Sequence, residues 1–337
     1  MSTKNTAAPE LKLGLIPNDP SRPRLKFTDY VKTYPAYPAS TDVGTGLHYP
    51  MWLNDNLSDC VAATRAALDL VDSAKLCGAP YTETDAEVLA FYRTQNPGKQ
   101  DNGMNIQEGL EYLLKHPLPS GAQVVGFAEI DHKDQAQIDA AIAIGGRIWM
   151  GSIITQANRD QWAAGKPFDY VPDSEELGGH SWLAVGQNPT PGIRLVTWAA
   201  ERAATNAYLR TLVTEAWFVI TDSMLHDKRF IDGMDLESFA ADFEAITGNA
   251  FPAIPTPPAP PAPPVSTVPF TNVRADVKTA ILLTDIRLIA PDGTLVPPVT
   301  FQTIDAGTLG GKHPGPAHTV QVGSQELYLL DRNAVLK

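Results

Sequence analysis

Nine of the eighteen residues from 252 to 269 are proline. Each removes an amide donor and holds φ near about −65°, so the run can enter neither a helix interior nor the middle of a sheet. It predicts an extended polyproline II spacer of about 3 Å per residue. A docking site for a proline-recognition domain is the other use of such a run, but this one lies between two foldable segments. The 337-residue chain therefore reads as an irregular N-terminal arm (1–44), a large mixed domain (45–251), a Pro-rich linker (252–269) and a small all-β domain (270–337).

Charge separates the same parts. The chain carries 26 Lys and Arg against 38 Asp and Glu, a net charge of −12. Within 270–337 six basic and six acidic residues cancel, so the whole excess belongs to residues 1–269. That body repels phosphate backbones, and nucleic acid is not an expected partner. No stretch approaches the roughly 18 apolar residues of a membrane span, so no membrane is expected either. The N-terminus, MSTKNTAAPELKLG, lacks the basic flank and apolar run of a secretory signal. Two cysteines, Cys60 and Cys77, are too few for a disulfide scaffold, which implies synthesis in a reducing cytoplasm. Prolines 17, 20, 23, 35 and 38 interrupt the first fifty residues, and no self-inhibiting prodomain is expected there.

Apolar residues recur at helical spacing over 60–76, with Ser58 and Asp59 available as caps. Further helices are predicted at 85–94, 105–115, 135–144 and 236–247. Strands are predicted at 123–129, 147–154, 180–186, 193–198 and 216–221. Helices lead and strands follow, an α+β arrangement. The tail offers β-rich runs at 280–289, 299–304, 318–322 and 326–330. His313 and His318 flank a loop without a third ligand, and no Walker loop, GxGxxG turn or CxxC pair occurs. No cofactor or metal is expected.

Two residues carry chemistry. Cys60 stands at a predicted helix N-terminus, where unpaired amides favour the thiolate. His180 opens a predicted strand behind Gly178-Gly179, where it could face a cleft and take a proton from a thiol. Cys77, before Gly78 at a helix end, reads as a packing residue. Trp182, Trp198 and Trp217 read as core aromatics, with Trp198 also able to shield His180 from water, and Asp101 and Asn102 as turn residues.

The order of segments resembles the papain-like cysteine peptidases. Asn54-Asp55-Asn56-Leu57-Ser58-Asp59-Cys60 is similar to that family's helix start, with Asn54 at the oxyanion-donor position six before the Cys. Asp101-Asn102-Gly103-Met104-Asn105 resembles its Gly-Gly segment, and residues 131–154 resemble the opening of its β-domain. Gly179-His180-Ser181-Trp182-Leu183-Ala184-Val185-Gly186 is close to its Asn-His-Ala run, and Val196-Thr197-Trp198 falls where Asn-Ser-Trp belongs. The resemblance covers roughly residues 45–222. It implies a two-lobed fold, a helical lobe against an antiparallel β lobe, and a protein or peptide substrate. Cys60 would attack an acyl carbon, His180 would accept and return the proton, and Asn54 with the Cys60 amide would hold the oxyanion.

Several positions depart from the family pattern. Val196 replaces the Asn that orients the histidine. Residues two apart on a strand share a face, so Val196 and Trp198 should point together, and Thr197 could serve only through a bulge. Val61 replaces a Trp, Asp59 sets a carboxylate beside the nucleophile, and Asn54 is one methylene short of Gln. These departures imply the alternative of a catalytically inactive structural protein. A proline-linked β-tail on such a body also resembles virion-associated proteins of actinobacterial phages, with residues 270–337 as the attachment to a virion or other protein assembly.

Overall fold

A computed structural model describes residues 11–32, 34, 41–188 and 192–253, together with short strands beyond residue 279. The chain divides into two compact units, Met1–Pro255 and Thr256–Lys337.

In the first unit the elements run β1 (Thr41–Asp42), α1 (Cys60–Lys75), α2 (Asp85–Tyr92), α3 (Ile106–Leu113), β2 (Val124–Glu129), α4 (Gln135–Gly145) and β3 (Ile148–Thr155). There follow α5 (Gln156–Ala163), β4 (Glu176–Asn188), β5 (Gly192–Thr197), β6 (Ala200–Thr205), α6 (Asn206–Leu212), β7 (Val213–Thr221), α7 (Lys228–Gly233) and α8 (Leu236–Thr247). The strands form one antiparallel sheet in the order β2-β7-β3-β4-β5-β6, with β1 added on β4.

Strand alternation divides the interior into two cores. Trp149, Leu183, Val185, Trp217 and Val219 pack with α1, α2 and α3 into a helical-lobe core. Their neighbours Ile148, Met150, Trp182, Ala184, Phe218 and Ile220 face the other way, into a core completed by α4, α6, α7 and α8. α1 is the central helix, with 13 of its 16 residues buried. Its N-cap position is Asp59, as the sequence suggests, but that side chain makes no capping bond. Gly146 ends α4 in the left-handed region (φ 79°), where glycine escapes the Cβ penalty.

Residues 11–31 form no α-helix and hold one 3₁₀ turn, Phe27–Asp29, yet they lie close against the sheet and helices. Leu15, Leu25, Phe27 and Tyr30 are buried, and Lys26 bridges Glu129 of β2. Arg22 pairs with Glu108 and Glu111, both at 3.0 Å. Backbone pairing by an irregular segment leaves no periodic signal, so the sequence did not disclose this strap.

In the second unit, β9 (Leu288–Ile289), β10 (Leu295–Val296), β11 (Ala317–Val322) and β12 (Gln325–Leu330) form a sheet in the order β10-β9-β12-β11. β8 (Ala280–Leu282) pairs with β13 (Ala334–Leu336). The predicted strand at 299–304, most of the proline run and the loop bearing His313 lie outside the described residues. Among the described residues no helix is long and apolar enough to cross a membrane.

Candidate active site

His180 lies near the start of β4 and is fully buried. Its Nε2 shares a 2.5 Å hydrogen bond with Thr197 Oγ1. No bulge is required for this contact. β4 and β5 pair Leu183 with Val196, so the next step places Thr197 opposite Trp182, on the same face as His180. Trp198 is not a strand residue: it and Ala199 form the β5–β6 turn at φ 42° and 59°. The two-residue alternation therefore stops at Thr197, and the Trp198 ring swings onto His180, stacked at 4.0 Å between centroids. This corrects the expectation that Val196 and Trp198 share an orientation at the site. Burial, with Arg159 adding a positive field, pushes the His180 imidazole down to about 3, so it is neutral at physiological pH. Its Nδ1 is buried without a hydrogen-bond partner.

Cys60 begins α1 and is 1% exposed. Burial pushes its thiol up to about 12, and the Asp59 carboxylate adds to the rise. The backbone amides of Ser181, Gly14 and Val61 face the sulfur and pull in the opposite direction. Ser181 follows His180 directly. Its hydroxyl accepts from Trp149 Nε1 (2.9 Å) and donates to Thr64 Oγ1 (3.0 Å), pinning β4 to α1. Cys60 and His180 make no hydrogen bond to each other; the amide that faces the sulfur belongs to Ser181, one residue after His180.

Asn54 donates its amide to Asp59 Oδ1 (3.1 Å) and Leu57 O (3.3 Å), and so is committed within its own loop. The other oxygen of Asp59 is buried and unpartnered, and burial raises that carboxyl to about 8. Asp101 is more than a turn residue, since it accepts from the Ser58 amide (2.8 Å) and Tyr92 Oη (2.5 Å) and ties the two loops together. Cys77, read as a packing residue, is exposed, with its sulfur 3.5 Å from Ser223 Oγ. A cavity of about 20 Å³ is lined in part by Asn54, Cys60, Thr64, Ser181, Thr197 and Trp198. It has room for about one water molecule.

Residues 11–16 run between the loop before α1, the loop at 101–104 and the start of β4. The Lys12 amide donates to Asn54 O (3.1 Å), and the Gly14 and Leu15 amides donate to Gly179 O (3.0 Å each). Met104 N–H donates to Gly14 O (2.8 Å), and Ile16 N–H donates to Met104 O (2.9 Å). Trp198 Nε1 donates to Lys12 O (3.2 Å) and Arg159 Nη2 to Leu11 O (2.8 Å). Every segment that carries the family resemblance around the cleft is thus in contact with this strap. Gly14 and Arg159 were not singled out by the sequence; an isolated glycine between two leucines was the one available signal.

The sequence matches no family model and no curated protein. Solved structures do match. Xylellain, a cysteine protease from Xylella fastidiosa, superposes with a TM-score of 0.51 at 15% identity, over 63% of this chain and 97% of that one. Procathepsin B S9 from Trypanosoma congolense matches at 0.47 and 11% identity, over 63% and 87% of the two chains. Digestive procathepsin L 3 from the larval midgut of Tenebrio molitor matches at 0.44 and 12%, over 62% and 76%. In fold, the first unit is papain-like: a helical lobe and an antiparallel β lobe that meet at Cys60 and the start of β4.

Proposed function

We propose that the protein is a papain-like cysteine peptidase or amidase acting through Cys60 and His180. One observation carries the reading: Thr197 fixes His180 Nε2 at 2.5 Å and leaves Nδ1 buried and unpartnered, one residue before Ser181, whose amide faces the Cys60 thiol. With the proton on Nε2, Nδ1 offers its lone pair. The Cys60 S–H proton passes to Nδ1 as the sulfur attacks the acyl carbon. The Val61 amide at the helix start lies beside the reacting sulfur, and Asn54 joins as oxyanion donor once it leaves Asp59. The imidazolium returns the proton to the leaving nitrogen as the C–N bond breaks. Water then attacks the thioester, His180 takes its proton, and the acid and free thiol are released. Turnover of a mixed peptide substrate by the full chain should fall at least a thousandfold in both Cys60→Ala and His180→Ala. Equal turnover by Cys60→Ala would overturn the proposal.

The strap and the raised thiol favour a second reading, a structural module that keeps this fold without turnover. In that reading residues 270–337 attach the body to a virion or other assembly. Undetectable turnover by the full chain, with co-purification of such an assembly lost on deletion of 270–337, would select it.

A further inference from the structure

We infer that the groove between the start of α1, the loop at 101–104 and the start of β4 is a peptide-binding slot selective for glycine, and that residues 11–16 are its resident ligand. The bonds that hold the segment run almost wholly through main-chain atoms: Lys12, Gly14, Leu15 and Ile16 donate amides, and Gly14 O accepts from Met104. Such bonds hold any extended peptide, so the side chains must supply selection. At position 14 there is no room for one. A Cβ on Gly14 would lie 2.0 Å from Ser58 O and 2.5 Å from its carbonyl carbon, both backbone atoms that a rotamer change cannot move.

The walls are themselves glycine. A Cβ on Gly103 would stand 2.2 Å from Gly14 O, and one on Gly179 would stand 2.6 Å from Leu15 O. Glycines on both partners permit the close approach. Beyond the constriction the slot turns apolar: Leu15 is 8% exposed, belongs to the helical-lobe core and lies over Gly151. The recognised unit is therefore an extended peptide with glycine facing Cys60 and a leucine-sized residue after it. That such a peptide is also the substrate rests on the proposed function; its binding does not.

The test uses the full chain with a specific protease site replacing the exposed turn at Asp19, Pro20 and Ser21, folded first and then cut. A fluorescent peptide Leu-Lys-Leu-Gly-Leu-Ile-Pro should exchange into the cut protein, read by anisotropy, and should protect Cys60 from iodoacetamide. The same peptide with leucine for glycine should bind at least tenfold more weakly. Equal binding of both peptides, or failure of a hundredfold excess of glycine peptide to displace the cut segment, would overturn the inference. In the uncut chain, Gly14→Leu should raise Cys60 labelling at least tenfold; a folded variant as protected as the parent would likewise contradict it. Selective binding without hydrolysis would remove the peptidase reading and leave the slot standing, and hydrolysis without selection would do the reverse.

Discussion

Asp59 places one carboxylate oxygen on Asn54 and the other on nothing, immediately before the candidate nucleophile. Burial raises its folded value to about 8, above the ordinary carboxylate range. The stability it contributes is present below about pH 4 and is lost as pH rises through 8, because the folded state then holds a buried charge. Asp59→Asn should recover about 2–4 kcal/mol at pH 9 and almost none at pH 4, measured by urea unfolding at both values. Thr197 makes a sharper claim. Thr197→Val keeps the shape and removes the hydroxyl, so kcat should fall about tenfold or more with KM little changed, whereas Thr197→Ser should retain most of kcat. Cys60, His180 and Asn54 were legible as motif positions. The Thr197–His180 contact was legible only in part, because reading Trp198 as a strand residue hid the face that Thr197 shares with His180.

α1 carries buried charges that join the lobes. Arg147, before β3, donates to Asp72 Oδ2 (2.5 Å) and to Val219 O (3.0 Å), while Thr221 Oγ1 donates to the same carboxylate (2.9 Å). Arg65 pairs with Glu83 and lies 4.7 Å from the Phe91 ring centre. Removing one member strands its partner in the interior, so Arg147→Ala should cost about 3–5 kcal/mol by chemical denaturation, far more than Arg22→Ala on the surface. Long periodic elements such as α1, α4, β3 and β7 were readable from apolar spacing. α5 was not, since its sequence QANRDQWA buries only Asn158 and offers no apolar stripe, nor was the seven-residue α6; each starts at a threonine cap, Thr155 accepting from the Asn158 amide and Thr205 from the Tyr208 amide. β6 was missed as well, because Ala200–Thr205 (AERAAT) lacks the β-branched alternation that marks a strand.

Two lobes meet at the cleft, and the strap from residue 11 to residue 31 binds both: Leu15 enters the helical-lobe core, while Leu25, Phe27 and Tyr30 enter the other. The order of motifs revealed the lobes because each motif is local. The strap escaped notice because its pairing spans the chain and runs through backbone atoms that every residue possesses. The proline run predicts that a chain ending at residue 251 keeps the melting temperature of the first unit and its turnover of a small amide; loss of the folded baseline on truncation would contradict this. The central claim is that Cys60 and His180 act as a pair. The most direct measurement is iodoacetamide labelling of Cys60 and Cys77, resolved by mass spectrometry between pH 5 and 9, on cut chain from which the strap segment has been removed and to which no peptide is added. Cys60 should react at least tenfold faster than Cys77 near neutral pH, and His180→Ala should abolish that preference. Equal, slow labelling of both thiols, unchanged by His180→Ala, would show that Cys60 is a packing residue and that the cleft performs no thiol chemistry.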